Sequence, residues 1–342
     1  MNGRDANPGR FSFRDRSLGR FPIADLSFRG EDLDCGFFPL LFQRFASTVT
    51  PSPAIPVQAP AATWTQTLQA APRGLVLARE KGWLLAWDDA RWLYLLNQAG
   101  RLEGQAQQPG AIAAACCADD GSALAVLSQG GAVSWLAPDL TVRWQHQLPA
   151  KPMAAALDSF GQYLAVADQA GTLHVLDRLG RVVTTTPGPL AFHHLTFVPA
   201  APVLLASAEL GLIVCMDLAG KTTWRDSLVI HVGGLAVTSG GEQILLACFT
   251  EGLHRYSLAG RKLKPISTVE PWQRVAVSAD GRHILAGGLS QRLYVLDDNG
   301  RTRRTLTVDH PPAAVALDPL GRAAYAALPD RRIVAFDLSD PR

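Results

Sequence analysis

The sequence predicts an all-β, seven-bladed β-propeller. Three observations carry that prediction: a 40-residue repeat, four strand signatures within each repeat, and first strands rich in alanine. The repeat emerges when positions 40 apart are stacked from residue 61 to the end, with no insertion or deletion. One column reads Asn97, Ala137, Asp177, Asp217, Ser257, Asp297, Asp337. Three residues on, the column is Gly100, Leu140, Gly180, Gly220, Gly260, Gly300, and the next is Arg101, Thr141, Arg181, Lys221, Arg261, Arg301. Two apolar columns run Leu93, Val133, Leu173, Ile213, Leu253, Leu293, Ile333 and Leu96, Leu136, Leu176, Met216, Tyr256, Leu296, Phe336.

Within one repeat, residues 274–278, 283–287, 293–296 and 302–308 read as successive strands. Apolar and β-branched residues make them, and clusters of Asp, Asn and Gly bound them. The Asp297-Asp298-Asn299-Gly300 turn has a local cause. An Asp at the first position bonds its own backbone, and Gly accepts the left-handed conformation that closes the turn. The 3.6-residue apolar spacing that a helical repeat needs is missing. Ala113 to Ala115, Ala154 to Ala156, and Ala313, Ala314 and Ala316 place small residues in first strands, where blades converge on an axis.

The last repeat stops after Phe336-Asp337 without a fourth strand. Trp64 is in phase with Trp144 and Trp224, so residues 62–68 are expected to complete the blade built from residues 311–338. That closure leaves no open edge between the first and last blades. The chain therefore divides into a non-propeller N-terminal arm and linker, residues 1–60, and a propeller, residues 61–342.

The repeats resemble those of the WD40-like and PQQ-like (quinoprotein-type) propeller superfamilies. The stretch 278–288, Ser-Ala-Asp-Gly-Arg-His-Ile-Leu-Ala-Gly-Gly, is similar to the inner hairpin of bacterial WD40-like repeats. The stretch from Val214 to Trp224 is similar to the PQQ-like repeat, with Asp217, Gly220-Lys221 and Trp224 in matching order. No repeat carries the Gly-His pair of WD40 repeats, and the Trp-Asp dipeptide is replaced by Leu176-Asp177, Met216-Asp217, Leu296-Asp297 and Phe336-Asp337. The resemblance implies the fold over residues 61–340. It carries over no ligand or catalytic residue, because propellers host many unrelated functions.

Composition excludes several classes. Of 342 residues, 48% are hydrophobic and 18% charged, enough for a substantial core. A net charge of +2 implies no general binding of polyanions, so nucleic acid is not an expected partner. Five cysteines in a long chain do not suggest a disulfide scaffold. No apolar run approaches the roughly 18 residues of a membrane helix. Arg4, Asp5, Arg10, Arg14, Asp15 and Arg16 precede any apolar stretch, unlike a secretory leader. A cytoplasmic location is expected, with the periplasm left open.

The arm is distinct. Eight of the thirteen phenylalanines lie in it: Phe11, Phe13, Phe21, Phe28, Phe37, Phe38, Phe42 and Phe45. Arg14, Arg16, Arg20, Arg29 and Arg44 alternate with them, and a Pro-rich linker spans residues 50–60. Disordered tails are poor in aromatics, and Phe and Arg are enriched at interfaces. The sharper reading is a docking arm that lies on a protein partner; the plainer one is an arm folded over its own propeller.

Three constellations invite chemistry. Cys116-Cys117 parallels the vicinal pair of some quinoprotein dehydrogenases, but falls in phase with the first-strand core positions Ala276-Val277 and Ala316-Leu317, where Cys packs as a small hydrophobe. His193-His194, His231 and His310 ring one face, yet sit on different blades, whereas a metal needs three or more converging ligands. On the same face, Phe192 and Trp272 stand where other repeats have Pro or aliphatics, among charges that include Asp88, Asp168, Arg292 and Arg331. An aromatic ringed by mixed charge suits partner binding.

No nucleophile motif, phosphate loop or telling carboxylate pair is present. No catalytic, cofactor or metal residue is expected. Blades of equal length leave no elaborated loop on which to build an active site. The expectation is a non-catalytic protein–protein interaction scaffold, an accessory subunit of a larger assembly. It would dock through Phe11, Phe13, Arg14, Arg16, Phe21, Phe28, Phe37, Phe38 and Phe42 of the arm and Phe192, Trp272, Arg292 and Arg331 of the ring. The alternative is a quinoprotein- or lactonase-type enzyme, which predicts carboxylates and a cation at the central channel.

Overall fold

A computed structural model describes residues 61–268 and 270–339; the arm assignments fall outside them. The described chain is all β, in seven four-stranded antiparallel sheets. Blade 1 is made of strands Pro72–Ala78, Trp83–Asp88, Trp92–Leu96 and Leu102–Gln107. Blades 2 to 6 repeat that order at 112–147, 152–187, 192–227, 232–266 and 272–307.

In blade 6 the strands are Trp272–Val277, Ile284–Gly288, Arg292–Leu296 and Thr302–Thr307, within two residues of the sequence reading. The first strand begins earlier than predicted because its pairing shifts between Trp272 and Arg274. The same shift occurs at Pro72/Gly74, Ile112/Ala114, Pro152/Ala154, Phe192/His194 and Val232/Gly234. A bulge at this level in the inner strands of blades 1 to 6 sharpens their twist around the axis; the inner strand of blade 7 pairs without one.

Blade 7 closes as the phase of Trp64 predicts. Its strands Ala314–Leu317, Ala323–Leu328 and Arg332–Asp337 are completed by Trp64–Thr67, which pairs antiparallel with Arg332–Asp337. The Leu68 amide donates to the Arg331 carbonyl at 2.7 Å, as the Leu148 amide donates to Gly131 at 2.9 Å in blade 2. The closing strand thus makes the same contacts as a strand contiguous with its own blade.

Apolar burial forms seven clusters, and each spans two neighbouring blades. One joins Leu84 and Tyr94 to Tyr325 and Ile333 across the closure; another joins Leu205 and Ile213 to Leu246 and Tyr256 between blades 4 and 5. The core is therefore a ring of interblade layers, each held by fully buried leucines worth about 2 kcal/mol apiece.

The turn between third and fourth strands has the predicted cause. Asp177 Oδ1 accepts from the amides of Leu179 and Arg181, and Asp297 Oδ1 from those of Asn299 and Arg301. The Gly column there is left-handed, with φ of 78° at Gly100 and 79° at Gly260. Trp64, Trp144 and Trp224 reach across to the next blade, where each indole donates to a carbonyl of that turn: Gln98 at 2.9 Å, Arg178 at 3.0 Å and Leu258 at 2.7 Å. No helix among the described residues is long and apolar enough to cross a membrane.

Candidate functional site

The loops that precede first strands and those between second and third strands share one face of the ring, called here the upper face. Pairing sets this: Pro72, at the start of a first strand, lies opposite Asp88, at the end of a second.

Two residues expected on this face are not on it. Phe192 is 2% exposed and Trp272 3%, both in interblade clusters. Each opens its strand at the register shift, one position before His193 or Gln273, and its ring packs into the layer between blades. These aromatics are packing residues and offer no contact surface to a partner. Asp88 and Asp168 are also buried. Asp88 accepts from the Trp92 amide and, at 2.7 Å, from the Tyr94 hydroxyl. Asp168 accepts from the Thr172 amide and lies 3.0 Å from His174 Nε2. They hold the strand-2 to strand-3 turn. Arg292 and Arg331 are exposed, as expected.

The upper face carries an apolar knob that the sequence reading did not single out. Leu210 is 70% exposed and Val229 is wholly exposed. They are brought together because the Leu228 amide donates to the Gly211 carbonyl at 2.9 Å. Beside them the Glu209 carboxylate lies 3.3 Å from His231 Nδ1 and 3.8 Å from His193 Nε2, bridging blades 4 and 5. His310 faces Asp330 on blade 7, at 3.7 Å, so the four histidines do not converge. Arg332 joins Asp309 to Asp330, and its ion pair holds the Asp309 carboxyl below the usual range.

Cys116 and Cys117 are free, buried thiols in two different interblade layers, and burial pushes the Cys116 thiol up to about 12. This is the packing role that their phase implied.

The seven first strands line a central channel whose upper part encloses about 380 Å³. Its walls are Ala, Gly, Val and Leu, with the Trp87 ring lying over Gly74. The charged or titratable side chains among its lining are Arg73, His193, His194 and Arg274; no carboxylate is among them. Arg274 is held by backbone: Nε donates to Ala313 at 2.7 Å, and Nη1 to Gln273 and Gly233 at 3.2 and 3.3 Å. Burial lowers its pKa. Burial also pushes the His194 imidazole down to about 4, aided by the nearby His193, Arg274 and His231 and opposed by a hydrogen bond to Val232. His194 is therefore neutral at pH 7.

The stacked repeats did contain a signal for this site. The column Gly74, Ala114, Ala154, His194, Gly234, Arg274, Ala314 has two members that are not small, and those two reach the channel. The knob has no comparable column signal, since Leu210 and Val229 are loop residues whose neighbourhood depends on strand pairing.

No protein-family model matches this sequence, and no curated protein matches it either.

Proposed function

We propose that the protein is a non-catalytic interaction scaffold, an accessory subunit that holds a protein partner on the upper ring face. The observation that carries this reading is the Leu210–Val229 knob, exposed beside the His193–Glu209–His231 cluster. An exposed apolar centre with polar residues around it is the composition of a docking site. Arg292 and Arg331 extend the face around the ring, and the Phe/Arg arm serves as a second contact. The short, equal blades support the same reading, because they leave the face without elaborated loops. We further read the repeats as WD40-like and PQQ-like in type.

The test is affinity capture from native lysate with three chains: the full chain, one lacking residues 1–55, and the full chain carrying Leu210→Glu and Val229→Glu. A stoichiometric partner retained by the full chain and lost with the double substitution supports docking on this face. Equal capture by the full chain and the substituted chain would sink it. Loss on removing the arm alone assigns the arm as the second contact.

A further inference from the structure

Of the cationic side chains that line the central channel, Arg73 pairs with Asp89, whereas Arg274 and Arg79 form no ion pair among the described residues. Arg274 at the upper mouth makes its hydrogen bonds to backbone carbonyls, and no ion pair is formed by it among the described residues. At the lower end Arg79, from blade 1, crosses the axis, and its Nη2 donates to the Val237 carbonyl of blade 5 at 3.3 Å. Arg79 lines a lower part of the channel of about 190 Å³, which shares Leu75, Leu235, Val275 and Val315 with the upper part. The two guanidinium groups therefore sit in one passage, at different heights, where small apolar side chains alternate with exposed first-strand backbone.

Unpartnered polar atoms mark the same place. Trp87 Nε1, His193 Nδ1 and Arg79 Nη1 are buried, have no hydrogen-bond partner among the described residues, and all belong to residues lining this channel. The indole and guanidinium nitrogens are donors only, so what they lack is an acceptor. Both arginines are half-buried, and a partly desolvated cation without a counter-charge favours an anion beside it. The complementary species is an anion. The Ala, Val and Leu side chains and the Trp87 ring give hydrophobic surface to the body of an organic anion, beside polar groups for its charged end.

We propose that the channel binds a small organic carboxylate, its anionic end on Nη2 of Arg274, the nitrogen not engaged by backbone, and its apolar body against the channel wall. Arg79 closes the floor. The site adjoins the docking face through His193, which lines the channel and also faces Glu209, but the proposal does not depend on the docking reading.

The test is calorimetric titration of the full chain with hexanoate, its neutral analogue hexanamide, and inorganic phosphate. Hexanoate is expected to bind about 10- to 100-fold more tightly than the other two, the worth of a charge-assisted hydrogen bond. Arg274→Gln should remove that preference. Because Arg274 ties blades together, Ala155→Leu, which narrows the channel without touching a polar group, provides a second variant. It should weaken hexanoate while leaving the thermal transition near that of the wild type. The proposal is overturned if hexanoate does not bind, if hexanamide or phosphate binds as well, or if a folded channel variant binds hexanoate unchanged.

Discussion

Trp64, Trp144 and Trp224 occupy one column of the repeat, and each lies on a turn glycine of the next blade: Gly100, Gly180 and Gly260. A Cβ at Gly260 would meet the Trp224 ring at 2.8 Å. The column has an inverted member. Gly104 stands where a tryptophan would, and Leu140 stands in the glycine column, left-handed at φ 66° and in contact with the space over Gly104. Large and small have changed places across that interface. Gly104→Trp alone is expected to cost about 1–3 kcal/mol by overpacking against Leu140. Combined with Leu140→Gly it should recover at least about 1 kcal/mol of that loss in a urea-unfolding cycle. Strict additivity would show that the two positions are not coupled.

His194 gives a second residue-level prediction. Its folded pKa, about 4, lies below the roughly 6.5 of an unfolded histidine, so between those values the unfolded chain binds more protons. Stability should fall as pH drops from about 6.5 toward 4, by up to about 3 kcal/mol. Asp226, held low by Lys262, adds loss in the same direction at lower pH, so the comparison is with His194→Gln. That variant should show a shallower decline in urea midpoint across the window; parallel curves would refute the assignment.

At the scale of elements, the closing strand is the test of the ring. Trp64 and Leu68 both pack into the layer between blades 7 and 1, and Leu68 is 4% exposed. A chain starting at residue 56 should keep full stability, whereas one starting at residue 71 should lose about 4 kcal/mol, the burial of one Leu and one Trp. It would also expose the edge of Arg332–Asp337 to pairing with other chains. Denaturant titration with light scattering distinguishes these outcomes. If the shorter chain is as stable and monodisperse, closure by this strand is not what holds the ring. This element was legible beforehand because two facts agreed: a strand missing from the end and a tryptophan in phase at the beginning.

For the molecule as a whole, every interblade layer has a counterpart on either side, so no blade is terminal. Open repeat arrays unfold piecemeal because their interactions are nearest-neighbour and their ends are free. A closed ring removes the ends, and the propeller should unfold in one transition. Tryptophan fluorescence and far-UV circular dichroism should give coincident urea midpoints. Separated midpoints would mean that groups of blades open independently.

The sequence by itself determined the architecture: period, blade number, strand order, turn chemistry and the strand that closes the ring. Each of these rests on contacts local in sequence or repeated every 40 residues, so a column displays them seven times over. It also placed Cys116 and Cys117 in the core through their phase. What only the tertiary structure decided is which side of the first strand each residue faces. In the bulged inner strands of blades 4 and 6, Phe192 and Trp272 lie in the interblade layers while His194 and Arg274 line the channel. Arg79 and Val237 are 158 residues apart and meet across the channel solely because seven blades close a circle. Contacts across an axis occur once in the molecule, and a period cannot announce what happens once.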